Sequence, residues 1–254
     1  MNHNSNSQNI NATGSARVSI GSVEQKIVTG QEEVGKRQIV RVLFLAANPA
    51  ETIRLRLDRE IQAIGRALQA SGLHDCFELQ QSWAVGPAEI QDSLLRYRPD
   101  IVHFSGHGEK EGLVLEPSSG LRQLKIENTA VPAPAAPDSV RSLAELFELA
   151  RGSIRCVVLN ACLSEMQAKA LAEHVECTMG MSTFIDDTAA IGFAWAFYHA
   201  LGQGESVRKA FDLACVQAKL AGSGSNGEPR LFANRSDPEA LVFIRRQAKG
   251  PASS

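Results

Sequence analysis

The sequence predicts an α/β protein built on a largely parallel sheet with helices on both faces. Three observations carry that prediction. Apolar runs rich in branched residues, Ile39 to Ala47, Asp100 to Ser105 and Ile154 to Asn160, have the composition of strands buried on both faces. Between them lie segments whose apolar residues recur at helical spacing, and such alternation implies parallel strands with crossover helices. At 254 residues, 44% hydrophobic and 21% charged, the chain can bury one sizeable core and is too short for three ordinary domains.

The elements follow in order. Residues 1–38 contain no Phe, Tyr or Trp, and five of the first eleven residues are Asn, so this stretch reads as a disordered or weakly structured tail. The first strand, Ile39 to Ala47, is closed by Asn48-Pro49. A helix is expected from about Thr52 to Ala70, with Leu55, Ile61, Ile64 and Leu68 near helical spacing and Ser71-Gly72 as its stop. A second strand runs from about Cys76 to Ser82. Pro87 opens a helix that continues to Tyr97, and Asp100 to Ser105 is the third strand, broken by Gly106. Residues 112–126 read as a hairpin around Ser118-Ser119-Gly120, and Asn128 to Asp138 as a Pro/Ala-rich surface loop. Ser142-x-x-Glu145 has the form of a capping box opening a helix to about Arg151. Ile154 to Asn160 is a fourth strand, and Ser164-x-x-Gln167 a second capping box, for a helix to about His174. Cys177 to Ser182 is a fifth strand. Helices at about Asp187 to Leu201 and Glu205 to Ala221 precede a short last strand near Ala240 to Ile244. Residues 247–254 read as a second tail.

Composition excludes several functions. A net charge of -2 with both signs mixed gives no basic stripe for nucleic acid. The longest nearly uncharged apolar run, Ala189 to Leu201, falls short of the roughly 20 residues that cross a bilayer, so no membrane partner is expected. The amino terminus lacks a basic region followed by an apolar one, and the expected compartment is cytoplasmic. Five cysteines at irregular spacing, without a C-x-x-C pair, favour neither a disulfide framework nor a four-cysteine zinc site.

In an open parallel sheet, ligands meet the carboxyl ends of the strands. His107 stands there after strand three, between Gly106 and Gly108, which let the backbone turn sharply and approach a substrate. Cys162 stands there after strand four, close before a helix start. Both a neighbouring imidazolium and a helix amino terminus favour a thiolate, so the two residues form a candidate nucleophile and base. The Gly108 and Cys162 amides could then face one gap and form an oxyanion hole for acyl transfer. Either residue alone is more often structural, because cysteines are commonly buried and strand-end histidines commonly hydrogen-bonded. Their joint placement favours function.

Other patterns lack a physical rationale. His103 and His107 are four residues apart, which on a strand separates them by roughly 13 Å, so no metal site and no cofactor is expected. His103 reads as a packed residue, and His174-x-x-Cys177 as structural. Gly222 to Gly227 spells a dinucleotide fingerprint but follows a helix and opens none. Gly30 to Lys36 imitates a phosphate loop, yet Arg37 stands where Ser or Thr would bind magnesium. Gly180 to Phe184 lacks the last glycine of a serine-hydrolase elbow.

Five segments together, RVLFLAANP (Arg41 to Pro49), LRLDREI (Leu55 to Ile61), VHFSGHG (Val102 to Gly108), VVLNACLS (Val157 to Ser164) and GMSTFIDDTAAIGFAWAFYHAL (Gly180 to Leu201), resemble the CHAT family of caspase-like proteins. The resemblance runs from about Val40 to Phe243, which makes residues 39–246 the expected peptidase domain. It implies a caspase-haemoglobinase three-layer sandwich and a cysteine endopeptidase with His107 and Cys162 as its dyad. Gly108 and Cys162 would supply the oxyanion amides. It also implies a protein substrate, in a bacterial defence or cell-death setting that includes pore-forming effectors, and an activating sensor. The same fold could instead serve as an inactive scaffold or signalling module. Caspases hold an acidic P1 side chain with arginines and a glutamine two residues before the nucleophile. That position is Asn160 here, so strict cleavage after Asp is not implied. Asp186 and Asp187, after strand five, would attract a basic P1 residue, although Asp at a helix start usually serves as a cap.

Overall fold

The computed structural model describes residues 38–109, 112–117, 137–150, 152–222 and 228–245. The two tails, the turn at Ser118 to Gly120 and most of the Pro/Ala-rich loop lie outside the described residues.

Strand β1 (Val40–Ala47) is followed by helix α1 (Leu57–Gln69), β2 (Phe77–Trp83), α2 (Pro87–Tyr97) and β3 (Ile101–Gly106). A short hairpin pairs β4 (Gly108–Glu109) with β5 (Gly112–Leu113). Helix α3 (Pro137–Leu149), β6 (Cys156–Asn160), α4 (Glu165–Leu171), β7 (Cys177–Met181), α5 (Asp187–Gly202), α6 (Val207–Ala221) and β8 (Pro229–Phe232) complete the order. The main sheet runs β2-β1-β3-β6-β7-β8 and is parallel except for β8, which pairs antiparallel to β7.

Alternate residues of the central strands feed two apolar layers, as strand periodicity requires. Val42, Phe44, Val158 and Met179 face Ile61 and Ile64 of α1, Phe193 and Phe197 of α5, and Phe211 of α6. Leu43, Leu45, Val102, Val157 and Leu159 face Ile90 and Leu94 of α2, Phe147 of α3 and Leu171 of α4. The result is a sheet between two helical layers. Each fully buried Leu, Ile or Phe in these layers stabilises the fold by about 1.5–3 kcal/mol.

Four sequence expectations need correction. Residues 52–56 are not helical: Thr52 turns back on the Pro49 carbonyl, and the Asn48 side chain bridges both backbone groups of Leu55, so α1 begins at Leu57. Ser142 and Glu145 lie inside α3, which begins at Pro137, where a missing N–H costs nothing. Ser164 does not cap α4. Its hydroxyl turns back toward the carbonyls of Ala161 and Leu159 and accepts from the Met181 N–H, and α4 ends at Leu171. The last strand is Pro229–Phe232, whereas Ala240 to Ile244 bends, although Leu241, Phe243 and Ile244 are buried. These apolar side chains pack without a ladder.

Candidate active site

The parallel pairing of β3 with β6 sets Ser105 opposite Asn160. Beyond that pair the two strands part at the same end of the sheet, β3 running one residue further beside Ala47 of β1 and then to His107, β6 leading to Cys162. His107 and Cys162 border one cavity of about 40 Å³, together with Leu55, Glu60, Asn160, Ile185 and Asp187. The structure thus brings His107 and Cys162 to one cavity at the end of β3 and β6.

Both glycines flanking His107 are packed against neighbouring backbone. A Cβ on Gly106 would lie 2.6 Å from the Ala47 carbonyl oxygen, and one on Gly108 would strike the carbonyl oxygen of Cys162. Only a residue without a side chain brings the His107–Gly108 backbone this close to the cysteine. Leu163, directly after Cys162, has φ +54°, a left-handed conformation that costs a branched residue about 1–2 kcal/mol. The turn is held by the Leu163 N–H donating to the Thr183 carbonyl.

The nonhelical strap before α1 gives the imidazole its orientation. His107 Nε2 lies 2.7 Å from the carbonyl oxygen of Ile53. A carbonyl can only accept, so Nε2 carries a proton, and in the neutral ring Nδ1 is left as a base. Had residues 52–56 been helical, this carbonyl would have been drawn into the helix ladder. The Cys162 sulfur accepts from the Ile185 N–H at 3.4 Å and lies 3.8 Å from the Ile185 carbonyl, which holds it from the β7–α5 side.

Asn160 is 4% exposed. Its Nδ2 donates to Glu60 Oε1 at 2.6 Å and to the Ala190 carbonyl at 3.1 Å. Both neighbours are acceptors, which fixes the amide orientation and leaves Oδ1 without a partner among the described residues. Asp187 also borders the cavity, and its Oδ2 accepts from the Arg56 N–H at 3.2 Å. Asp186 serves α5 as its N-cap, accepting from the Ala189 N–H at 2.8 Å, and does not border the cavity. Of the two adjacent aspartates, only Asp187 reaches the site.

Two features escaped the sequence reading. The Ile53 carbonyl carries no side-chain signature at all. Glu60 did leave a signal: it sits three and four residues from Leu57 and Ile64, on the apolar stripe of α1 where a carboxylate needs partners. His103, buried as expected, lies between Glu60 and the Tyr198 hydroxyl, with Phe44 stacked at 5.4 Å. Burial, helped by Cys156 and Glu60, pushes the Tyr198 hydroxyl well up and keeps it a donor.

All five cysteines are free thiols. Cys156 is pushed well up by its hydrogen bond with Cys177 and by burial, and burial raises Cys215 to about 11. Both stay protonated at neutral pH.

The CHAT domain family model matches residues 8–224. The chain belongs to the CHAT domain family. That match begins inside the stretch set apart above as an N-terminal tail. The chain is 26% identical over 198 residues to a probable protease of Gillisia limnaea, covering 73% of this chain and 33% of that protein. It is 25% identical over 169 residues to a Roc-COR-CHAT protease from an unknown prokaryotic organism, covering 65% of this chain and 15% of that protein. The CHAT chain thus spans a third or less of the length of these curated relatives. Among solved structures, caspase-1 from Spodoptera frugiperda matches with a TM-score of 0.51 at 12% identity, over 84% of this chain and 92% of that one. The fold is caspase-like. No helix among the described residues is long and apolar enough to cross a membrane.

Proposed function

We propose that this CHAT chain is a cysteine endopeptidase. The observation that carries the reading is the imidazole of His107, tied through Nε2–H to Ile53, on the wall of the cavity it shares with the Cys162 thiol. His107 Nδ1 takes the thiol proton, and the thiolate adds to the scissile carbonyl. The backbone N–H groups of Gly108 and Cys162 hold the oxyanion. Collapse breaks the C–N bond, and the imidazolium returns the proton to the leaving amine. Water, deprotonated by the same nitrogen, then hydrolyses the thioester and frees the thiol. Asp187 and the unpartnered oxygen of Asn160 favour a lysine or arginine side chain at P1, and Asp186 contributes by fixing the start of α5.

The names of the two curated relatives, both proteases, support a protein substrate. The family resemblance supports a cytoplasmic effector of bacterial defence or cell death, switched on by a sensor and cutting a partner such as a pore-forming protein.

A peptidyl acyloxymethyl ketone with lysine at P1 tests the chemistry. Mass mapping is expected to find the adduct on Cys162, with His107→Ala slowing its formation by about 100-fold. Equal rates in both proteins would overturn the dyad.

A further inference from the structure

Glu60 projects from α1 into the layer between that helix and the sheet, 3% exposed. Its carboxylate has three donors: His103 Nε2 at 2.7 Å and Asn160 Nδ2 at 2.6 Å on Oε1, and the Ser105 hydroxyl on Oε2. Ser105 and Asn160 are register partners across β3 and β6. They stand two residues before His107 and two residues before Cys162. We propose that Glu60 is the positioning residue of the dyad, pinning the last residues paired between the two strands to one carboxylate and so fixing the separation of imidazole and thiol. The inference rests on the peptidase reading above and adds to it a residue on a different helix.

The backbone ladder alone leaves this unsettled. It fixes Ser105 against Asn160, and Gly106 still pairs with Ala47 of β1, but the ladder between β3 and β6 does not continue past Ser105 and Asn160 toward the two reacting groups. Side-chain bonds to a third element supply the restraint, and charge-assisted bonds to a carboxylate are the stronger kind. A carboxylate buried on an apolar stripe is unfavourable unless its lone pairs are used, and three donors account for its presence here. The brace extends further. Tyr198 OH lies 3.3 Å from His103 Nδ1, and Asn160 also donates to Ala190, which ties in α5, the element that opens with Asp187. Glu60 faces Ser105, Asn160 and His103, so its part is to orient the groups above it.

Two variants of the full chain separate geometry from charge. In Glu60→Gln the amide oxygen accepts from His103 and Asn160 while its nitrogen donates to Ser105, so the clamp survives uncharged. Glu60→Ala removes all three bonds. The reading is the pH dependence of Cys162 alkylation by chloroacetamide, mapped by mass spectrometry well below each protein's melting transition. Glu60→Gln is expected to stay within about 3-fold of wild type, and Glu60→Ala to lose about 10–100-fold at neutral pH, the loss shrinking toward pH ~9 where any thiol ionises. A Glu60→Ala rate equal to wild type, or a Glu60→Gln rate as low as Glu60→Ala, overturns the clamp. Should Glu60→Ala fail to fold, Ser105→Ala and Asn160→Ala each remove one bond, and wild-type rates in both would overturn it. His107→Ala keeps the two readings apart. If it alkylates like wild type, the dyad itself fails and the clamp with it. If it is slow while Glu60→Ala is not, only the clamp fails.

Discussion

At the scale of single residues, the site depends on what is missing from Gly108. A Cβ there would collide with the Cys162 carbonyl oxygen and come within 3.3 Å of the Ala161 Cβ. A backbone oxygen cannot rotate aside as a side chain can, so a methyl group must displace either the His107 turn or the Cys162 peptide. Gly108→Ala is therefore expected to slow electrophile labelling of Cys162 by about 100-fold, the loss that a misplacement near 1 Å produces. Gly65 provides the control: nothing lies within 4 Å of its would-be Cβ, and it occupies the interior of α1. Gly65→Ala is expected to leave labelling unchanged and stabilise the chain by about 0.5–1 kcal/mol. Comparable labelling by the two variants would show that the contact with Cys162 does not constrain the site.

Elements were legible where composition and burial agree. The runs in β1, β3 and β6 are buried along nearly their whole length, and their branched apolar residues announced them. The strand β8 was not legible, because it opens with Pro229 and proline argues against a ladder. An edge strand tolerates it, and Met181 opposite Pro229 is the last pair of the register. Helix α1 was placed too early because Leu55 extends its apolar spacing, and sequence periodicity cannot show that Asn48 captures the Leu55 backbone. At the far end of the sheet, Arg155 before β6 and Glu176 before β7 form an ion pair at 2.8 Å. Burial works against the Glu176 carboxylate, but hydrogen bonds from Arg155 and Ser236 and the Arg155 charge hold it below its ordinary value of 4.5. A group depressed in the folded state stabilises the fold above its unfolded value and loses that contribution as pH falls through the folded one. Glu176→Gln is thus expected to lower stability by under about 1 kcal/mol at pH 7, since both side chains are partly exposed. The gap should hold down to pH 4.5 and narrow below it. Urea midpoints across that range measure the effect, and a gap that widens on acidification would refute the assignment.

Across the whole molecule, the layers converge on a site that is assembled but narrow. Helix α1 delivers Glu60, the strap before it the Ile53 carbonyl, the two central strands His107 and Cys162, and α5 Asp187. Yet the cavity among them measures about 40 Å³. One water needs roughly 10–15 Å³ of such space, so the cavity holds a few solvent molecules and is far smaller than the roughly 300–1,000 Å³ of an ordinary ligand pocket. The Ile185 backbone sits against the sulfur on one side, and Phe184 beside it is 69% exposed, an apolar residue on the segment that would have to move. Small and large electrophiles should therefore part company. In the purified chain, chloroacetamide is expected to reach Cys162 readily, while a peptidyl ketone with lysine at P1 reacts slowly and cleavage of peptides is slight. An activating partner that draws the Thr183–Ile185 segment away from the thiol should raise the peptidyl rate by at least about 100-fold and leave the chloroacetamide rate within a few fold, because only the first reaction needs a side chain seated in the cavity. Full peptide cleavage by the isolated chain, with no trigger added, would show that the site opens unaided and that its control lies elsewhere.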